Sequence, residues 1–172
     1  MFITNIKFSF RSRKKIDRKK IQNIKKIISY EKNHNFIIRY KKSVFTLLGK
    51  SLYHINCTGL KTFCDVKKNI LFFSKISKIN FNFFFNFKID CLTVKFYLQP
   101  GLKNCFLQKK SSLFSVLQTS RFPATILKYI TKNRKISISY FNEKGVTILL
   151  GAKKISEVDN ILKILKAEFD FK

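Results

Sequence analysis

The sequence predicts an α+β fold in which two related halves form one curved antiparallel sheet with helices on its other face. The first observation is an internal repeat, because the segment TGLKTFCDVKKNIL from Thr58 returns as LGAKKISEVDNILKIL from Leu150. Matched residues such as Gly59 and Gly151 lie 92 positions apart. Solenoid repeats recur about every 20 to 50 residues, so this longer period indicates a duplicated half-domain. The second observation is that both halves show the same order of predicted strands and helices.

The length and composition are those of one folded domain. The chain has 172 residues, of which 45% are apolar, and this is enough to form a substantial core. We therefore expect a single domain, with repeat 1 at approximately residues 1–80 and repeat 2 at approximately residues 81–172.

The first half begins with a partly alternating segment from Phe2 to Phe10, which predicts a strand. Asp17 then opens a helical pattern that continues to Ile28. Further strands are predicted at Asn35–Tyr40, Ser43–Leu48 and Tyr53–Thr58, with a turn at Gly49 and Lys50. Gly59 ends the last strand, and the spacing of apolar residues over Phe63–Lys75 predicts a helix.

The second half repeats this order with a strand around Phe87–Leu98, a turn at Pro100 and Gly101, and a weak helical pattern near Ser112–Leu117. The remaining strands are predicted at Ile126–Ile130, Ile136–Tyr140 and Val146–Leu150. Gly151 closes them. Ser156 is the expected cap of a final helix whose apolar residues form one stripe.

The charge of the chain indicates a polyanionic partner. Lysine and arginine number 36 against 9 acids, which gives a net charge of +27. Nucleic acid is the leading candidate and an anionic membrane surface follows. Lys, Asn, Ile and Phe are all abundant, and all four are encoded by A/T-rich codons. The alternative for each basic run is therefore a solvated face that an A/T-rich genome has made rich in lysine. The total charge nevertheless exceeds what solubility requires.

The sequence offers no site for covalent chemistry and none for a cofactor or metal. It has no glycine-rich phosphate loop, its nine acids form no useful pair, and its histidines are not at ligand spacing from a cysteine pair. The four cysteines, with no secretory leader before them, are expected to be reduced thiols of an intracellular protein. We therefore expect a protein that is not an enzyme and does not enter membranes.

The duplicated pattern resembles the TATA-box-binding protein family. The strongest stretch runs from Phe114 to Lys153, where a Phe-Pro pair opens a strand, a Phe ends a later strand, and Gly-Ala-Lys precedes the long helix. The segments TNIKFSF from Thr4, TGLK from Thr58 and FKIDCLTVKF from Phe87 extend the resemblance over nearly the whole chain. The resemblance implies a saddle whose concave sheet face binds DNA and whose helices cover the convex face.

The family wedges two pairs of phenylalanines between base steps and so bends the duplex. The resemblance places these wedges at Phe122 and Phe141 in the second half and at Phe36 in the first. The fourth position falls on Leu48, with Phe45 as the competing alignment. Because leucine has no aromatic face to stack on a base, the first-half kink is expected to be weaker or less selective.

The resemblance also implies contacts to the minor groove and to phosphates. The groove positions are Asn5, Lys7, Thr58, Asn86, Ile148 and Leu150. The amide of Asn5 suits the acceptors of A·T pairs, whereas Asn86 takes the second Asn position only with a one-residue insertion, and a gapless alignment places Phe87 there. The expected phosphate-binding residues are Lys61, Lys128 and Lys153.

The expected partners are A/T-rich double-stranded promoter DNA, general transcription factors A and B, and the RNA polymerase machinery. Contact with factor B is in doubt, because the second stirrup carries Gln118, Ser120 and Arg121 where the family is normally acidic. The expected function is initiation of transcription in the nucleus, or in a nucleus-derived or viral DNA compartment of an A/T-rich genome. Two alternatives remain open: a related paralogue that acts mainly through protein partners with altered DNA preference, and a basic RNA-binding or ribosomal protein.

Overall fold

The computed structural model describes residues 1–49, 53–130 and 135–171, and its internal contacts divide the chain into two compact units. The N-terminal unit is Asn5–Asp90, and the C-terminal unit combines Met1–Thr4 with Cys91–Lys172. Two long strands, β1 (Phe2–Ser12) and β6 (Phe84–Tyr97), contribute residues to both units. Lys50, part of the predicted first-half turn, lies outside the described residues.

The N-terminal unit follows the predicted order of strand, helix, strands and helix. After β1 come α1 (Arg18–Gln22), β2 (Ile28–Lys32), β3 (Asn35–Tyr40), β4 (Ser43–Leu48), β5 (His54–Leu60), α2 (Phe63–Ser77) and a 3₁₀ turn at Phe81–Phe83. The hydrogen-bonded order of the strands is β2-β3-β4-β5-β1-β6. Each neighbouring pair from β2 to β1 in this order is antiparallel.

Aromatic side chains fill the space between this sheet and α2. Phe73 on the helix contacts Phe10 and Phe45 on the sheet, with ring centroids 5.5 and 5.1 Å apart. All three side chains are fully buried. Cys57 lies in the same core, and burial raises the pKa of its thiol well above the ordinary value. One face of the sheet is therefore committed to packing against the helix.

The C-terminal unit repeats the arrangement. It contains the end of β6, α3 (Lys103–Gln108), β7 (Phe114–Thr119), β8 (Phe122–Ile130), β9 (Lys135–Phe141), β10 (Val146–Ala152) and α4 (Ile155–Phe169). The strand order is β6-β10-β9-β8-β7, with antiparallel pairs throughout. The apolar stripe of α4 packs on the sheet through Val158, Ile161, Leu165 and Phe169, all buried.

Two expectations about the position and extent of the helices are wrong. The first helix ends at Gln22, because Asn23 caps it and the residues from Ile28 pair with β3 as a strand. The helix expected near Ser112–Leu117 is instead mostly β7, in which Phe114 is buried against Tyr129. The helix of this half is α3, anchored by the buried ring of Phe106.

The start of the last helix also differs from the prediction. Lys154, not Ser156, is the N-cap of α4, and its side chain makes no capping hydrogen bond. The corresponding N-cap of α2, Thr62, forms a reciprocal capping box with Asp65. The two repeats therefore start their long helices at matching positions but with different chemistry.

The repeated glycines mark the same backbone feature in both units. Gly59 and Gly151 both have positive φ, +89° and +113°, just before the long helices. A Cβ on Gly59 would lie 2.0 Å from the carbonyl oxygen of Lys42, whereas one on Gly151 would lie 3.3 Å from that of Lys135. The repeat in the sequence thus reflects a backbone requirement that is stricter in the N-terminal unit.

Candidate nucleic-acid interface

Each unit has a sheet face that points away from its helices, and we call it the open face. Along β3–β5 and β8–β10, buried residues alternate with partly exposed ones, and the partly exposed ones form this face. In the N-terminal unit the open face carries Ile37, Arg39, Val44, Thr46, Leu48, Asn56 and Thr58. In the C-terminal unit it carries Phe122, Ile126, Lys128, Ser137, Ser139, Phe141, Ile148 and Leu150.

Cross-strand pairing provides an alignment of the two open faces that is independent of side-chain identity. Thr58 and Leu150 are 92 positions apart, and each begins a ladder across its sheet. One ladder joins Thr58, Val44 and Arg39, and its counterpart joins Leu150, Ser137 and Lys128. This register decides which residues occupy equivalent positions in the two units.

Phe122 and Phe141 form an aromatic pair on the open face of the C-terminal unit. Phe122 begins β8 and Phe141 ends β9, and their ring centroids are 6.1 Å apart with planes inclined at 62°. The side chain of Phe122 is 41% exposed, and Phe141 is partly exposed. The structure therefore brings together the two predicted second-half wedges at one end of the open face.

Phe36 does not lie on the open face, and its assignment as a first-half wedge needs correction. Its side chain is 0% exposed and packs on the helix side of the sheet, opposite Leu47 in the register. The register counterpart of Phe36 is Thr125, which is also buried, because it pairs with Tyr140 as Phe36 pairs with Leu47. Phe36 is therefore a core phenylalanine of the N-terminal unit and not the counterpart of an open-face wedge.

Leu48 is the register counterpart of Phe141. Leu48 pairs with His54 and Phe141 pairs with Val146, and His54 and Val146 are 92 positions apart. Its side chain is partly exposed on the open face. The competing residue, Phe45, is fully buried against α2 and so does not reach this face.

The two units differ in how much apolar surface they can offer to a duplex. Full burial of one leucine stabilises by roughly 1.5–3 kcal/mol, which is similar to the cost of about a few kcal/mol for unstacking one base step. Two phenylalanine rings offer larger surfaces and can stack on bases. The pair Phe122 and Phe141 would therefore bury more apolar surface at a base step than Leu48 alone.

Asn5 is held so that its amide donors are available. It is partly exposed on β1, and its Oδ1 accepts a hydrogen bond of 2.8 Å from the Gly59 backbone N–H. Because this bond fixes Oδ1, the Nδ2 donors occupy the other branch of the amide. Lys7, two residues along the same strand, and Thr58 on β5 are also partly exposed.

The assignment of Asn86, or of Phe87, to the groove position equivalent to Asn5 needs correction. Ile6 pairs with Leu60 and Leu92 pairs with Ala152, and Leu60 and Ala152 are 92 positions apart, so the register counterpart of Asn5 is Cys91. Asn86 is exposed and has φ of +55°, a left-handed conformation that interrupts the regular alternation of β6. The ring of Phe87 instead stacks on Phe10 and Phe81, with centroids 5.6 and 5.7 Å away. Phe87 is thus part of an aromatic cluster, and Asn86 marks a backbone irregularity five residues before the counterpart of Asn5.

Ile148 and Leu150 lie two residues apart on β10 and both belong to the open face. Ile148 is partly exposed between Lys95 and Ser139 in the register, and Leu150 is 49% exposed. Thr58, the counterpart of Leu150, is polar. The centre of the open face is therefore more apolar in the C-terminal unit.

The expected phosphate-binding residues occupy two kinds of position. Lys61 and Lys153 are exposed just before α2 and α4, and Lys128 is on the open face. The register adds Arg39, the counterpart of Lys128, which the sequence reasoning missed. Its guanidinium donates to the Tyr30 hydroxyl at 3.0 and 3.2 Å, which orients it. Only the cross-strand register reveals this equivalence, since no sequence motif surrounds Arg39.

The hairpin between β7 and β8 is exposed and carries no acid. Gln118, Ser120 and Arg121 all lie at the surface of this hairpin. Its charge is therefore the opposite of the acidic stirrup typical of the resembled family.

Within residues 1–49, 53–130 and 135–171, no group of three or more His, Cys, Asp or Glu side chains is placed to hold a metal ion. Over the same part of the chain, no helix is long and apolar enough to span a membrane.

Comparison with known proteins shows a fold relationship without a detectable sequence relationship. No protein-family model matches the chain, and no curated protein matches it by sequence. Among solved structures, TBP from Methanococcus jannaschii superposes with a TM-score of 0.72 at 19% sequence identity. The match covers 98% of this chain and 97% of that one. This chain therefore has the TBP fold, an antiparallel sheet with helices packed on one side.

Proposed function

We propose that this protein binds the minor groove of A/T-rich duplex DNA, bends it, and thereby initiates assembly of a transcription complex. The observation that carries the proposal is the pair Phe122 and Phe141, two partly exposed rings side by side at the end of an open sheet face. Large apolar side chains in such a position are costly in water and are suited to insertion between base steps.

The remaining open-face residues suit the minor groove. Ile148 and Leu150 present apolar surface, and the Asn5 amide presents donors for the adenine N3 and thymine O2 acceptors. The amino group of guanine would clash with such a face. We therefore propose a preference for A/T-rich over G·C-rich sequence.

Affinity is proposed to come mainly from the positive charge. The net charge of +27 includes Lys61, Lys128 and Lys153, and also Arg39. Contacts of these side chains with phosphates release counterions, so binding should weaken steeply with salt.

Energy transfer between dyes on the two ends of a short duplex tests this function. At physiological salt we expect the end-to-end distance of an A/T-rich duplex to shorten on binding, while a G·C-rich duplex of equal length binds more weakly and stays straight. Binding without shortening, or equal binding and bending of both duplexes, would contradict the proposal.

A second candidate is a protein of the same fold whose DNA preference has changed and which acts mainly through protein partners. The observations that favour it are the leucines at positions 48 and 150 and the hairpin Gln118–Arg121 without an acid. Weak discrimination between the two duplexes, together with retention of a general transcription factor on an affinity column, would favour this candidate. General transcription factors A and B, the polymerase machinery and a nuclear or viral DNA compartment remain part of the leading proposal.

A further inference from the structure

We propose that only the C-terminal unit kinks DNA by insertion, so that the protein selects A/T-rich duplexes with a single deformable step and binds them in one orientation. The inference rests on the proposed function and assigns the kink to one half of a duplicated protein. It follows from the residues that the cross-strand register places at corresponding ends of the two open faces.

The residues at the start of β8 differ from those at the corresponding place before and in β3. β8 begins with the open-face residue Phe122, four residues before Ile126 and six before Lys128, and Ala124 between them is only 1% exposed. Lys128 and Arg39 are equivalent in the cross-strand register. Counting back the same number of residues from each makes Phe122 equivalent to Asn33 and Ala124 equivalent to Asn35. Neither asparagine offers an apolar surface for insertion.

The backbone conformation at Asn33 also disfavours an inserting side chain at this position. Asn33 and His34 have φ of 49° and 62° and form the two-residue turn between Lys32 and Asn35, which are paired. Asparagine tolerates this left-handed conformation better than phenylalanine does. Asn35 is also engaged, since its Oδ1 accepts a 3.1 Å hydrogen bond from the Gly49 N–H.

Leu48 is therefore the one apolar side chain at this end of the described open face of the N-terminal unit. It stands beside a polar turn, whereas Phe141 has the ring of Phe122 beside it. We infer that Leu48 lies against the groove without entering the base stack. The N-terminal unit then holds the duplex by hydrogen bonds and phosphate contacts.

This difference has a consequence for the DNA that is chosen. Pyrimidine–purine steps kink easily, whereas A-tracts are stiff. A protein with one wedge requires one flexible step, beneath Phe122 and Phe141, and tolerates a stiff A-tract elsewhere in the duplex. Reversing such an asymmetric duplex should reverse the bound orientation.

Fluorescence of 2-aminopurine, placed at each adenine of an A/T-rich duplex in turn, counts the unstacked steps directly. With the wild-type protein we expect a several-fold rise at one cluster of neighbouring positions. The double variant Phe122→Ala, Phe141→Ala should abolish that rise, and Leu48→Ala should leave it unchanged within about twofold. If Leu48→Ala lowers stability, Leu48→Asn repeats the test with a side chain suited to the polar turn.

Two separate clusters of enhanced positions, one of them lost in Leu48→Ala, would overturn this inference while leaving the proposed function intact. No enhanced position on a duplex that is bound would overturn both. Phe63→Ala serves as the matched control, because Phe63 is 47% exposed at the start of α2 and does not belong to an open face.

Discussion

The two units share a backbone plan but differ where the open face ends. The C-terminal unit presents Phe122 beside Phe141, whereas the N-terminal unit presents Leu48 beside a polar turn. The helix-facing sides are both filled largely by buried aromatic and aliphatic side chains, with Thr125 in the place of Phe36. The two units therefore differ most clearly at the end of the open face.

The largest expected effect is the loss of DNA bending when both rings of the C-terminal unit are removed. The variant Phe122→Ala, Phe141→Ala should bind an A/T-rich duplex at low salt with much of its affinity, because phosphates supply that affinity. Its energy-transfer signal should match that of free DNA. Bending as large as in the wild-type complex would reject the wedge assignment.

The next largest effect is on stability and separates Phe36 from Leu48. Phe36→Ala should lower the free energy of unfolding by about 3–5 kcal/mol, because it leaves a cavity in the core. Leu48→Ala should cost only about 1 kcal/mol, since that side chain is partly exposed. Urea unfolding followed by circular dichroism measures both. Equal costs would mean that Phe36 is not buried as the structure shows.

The repeated glycines should also respond unequally. Gly59→Ala should destabilise by about 3 kcal/mol, because its Cβ would meet the Lys42 carbonyl oxygen at 2.0 Å in a left-handed backbone. Gly151→Ala should cost about 1 kcal/mol, because the nearest atom is 3.3 Å away. The same unfolding experiment compares them, and a larger loss for Gly151→Ala would reverse the comparison.

A smaller effect is expected from the matched cations Arg39 and Lys128. Replacing either one with Gln should reduce the salt dependence of binding by about one unit in the slope of log K against log salt. Fluorescence anisotropy at several salt concentrations measures the slope. A change for Lys128→Gln alone would show that the register equivalence does not extend to function.

The smallest effect concerns Asp65 at the start of α2. Hydrogen bonding by the Thr62 side chain, with help from the backbone N–H groups of Thr62 and Lys61 and the charge of Lys68, lowers the pKa of Asp65. Because the folded-state pKa is the lower one, this stabilisation is present above the ordinary pKa of about 3.9 and is lost as the pH falls through the folded value.

Asp65→Asn should therefore be slightly less stable than wild type at pH 7, and the difference should shrink below about pH 4. Thermal melts across this range measure it. A stability difference between the variant and the wild type that increased as the pH fell would contradict the direction of the pKa shift.

The sequence predicted most of the fold because both repeats carry strong local signals. Alternation located the strands β3, β4, β9 and β10, and apolar spacing located α2 and α4. The sequence located the start of α1 at Asp17 but not its end, and it missed α3; these helices are 5 and 6 residues long and are held by single buried side chains. Helices this short depend on tertiary contacts that no periodic pattern records.

The candidate site could be predicted only where motifs flank a residue on both sides. Phe122 and Phe141 are flanked in this way, and the structure places their rings side by side. Phe36 lies three residues from Asn33, the register counterpart of Phe122, and an odd shift along a strand moves a side chain to the opposite face. Arg39 and Asn33 acquire their significance only from cross-strand pairing, which the sequence does not display.

The most direct test of the wedge uses the absence of tryptophan from the chain. Phe122→Trp creates a single fluorophore at the proposed point of insertion, and Phe63→Trp creates a matched control. We predict strong quenching of the indole at position 122 when an A/T-rich duplex binds, through stacking on bases, and little change at position 63. An emission from Phe122→Trp that stays unchanged while anisotropy reports a bound duplex would contradict the account.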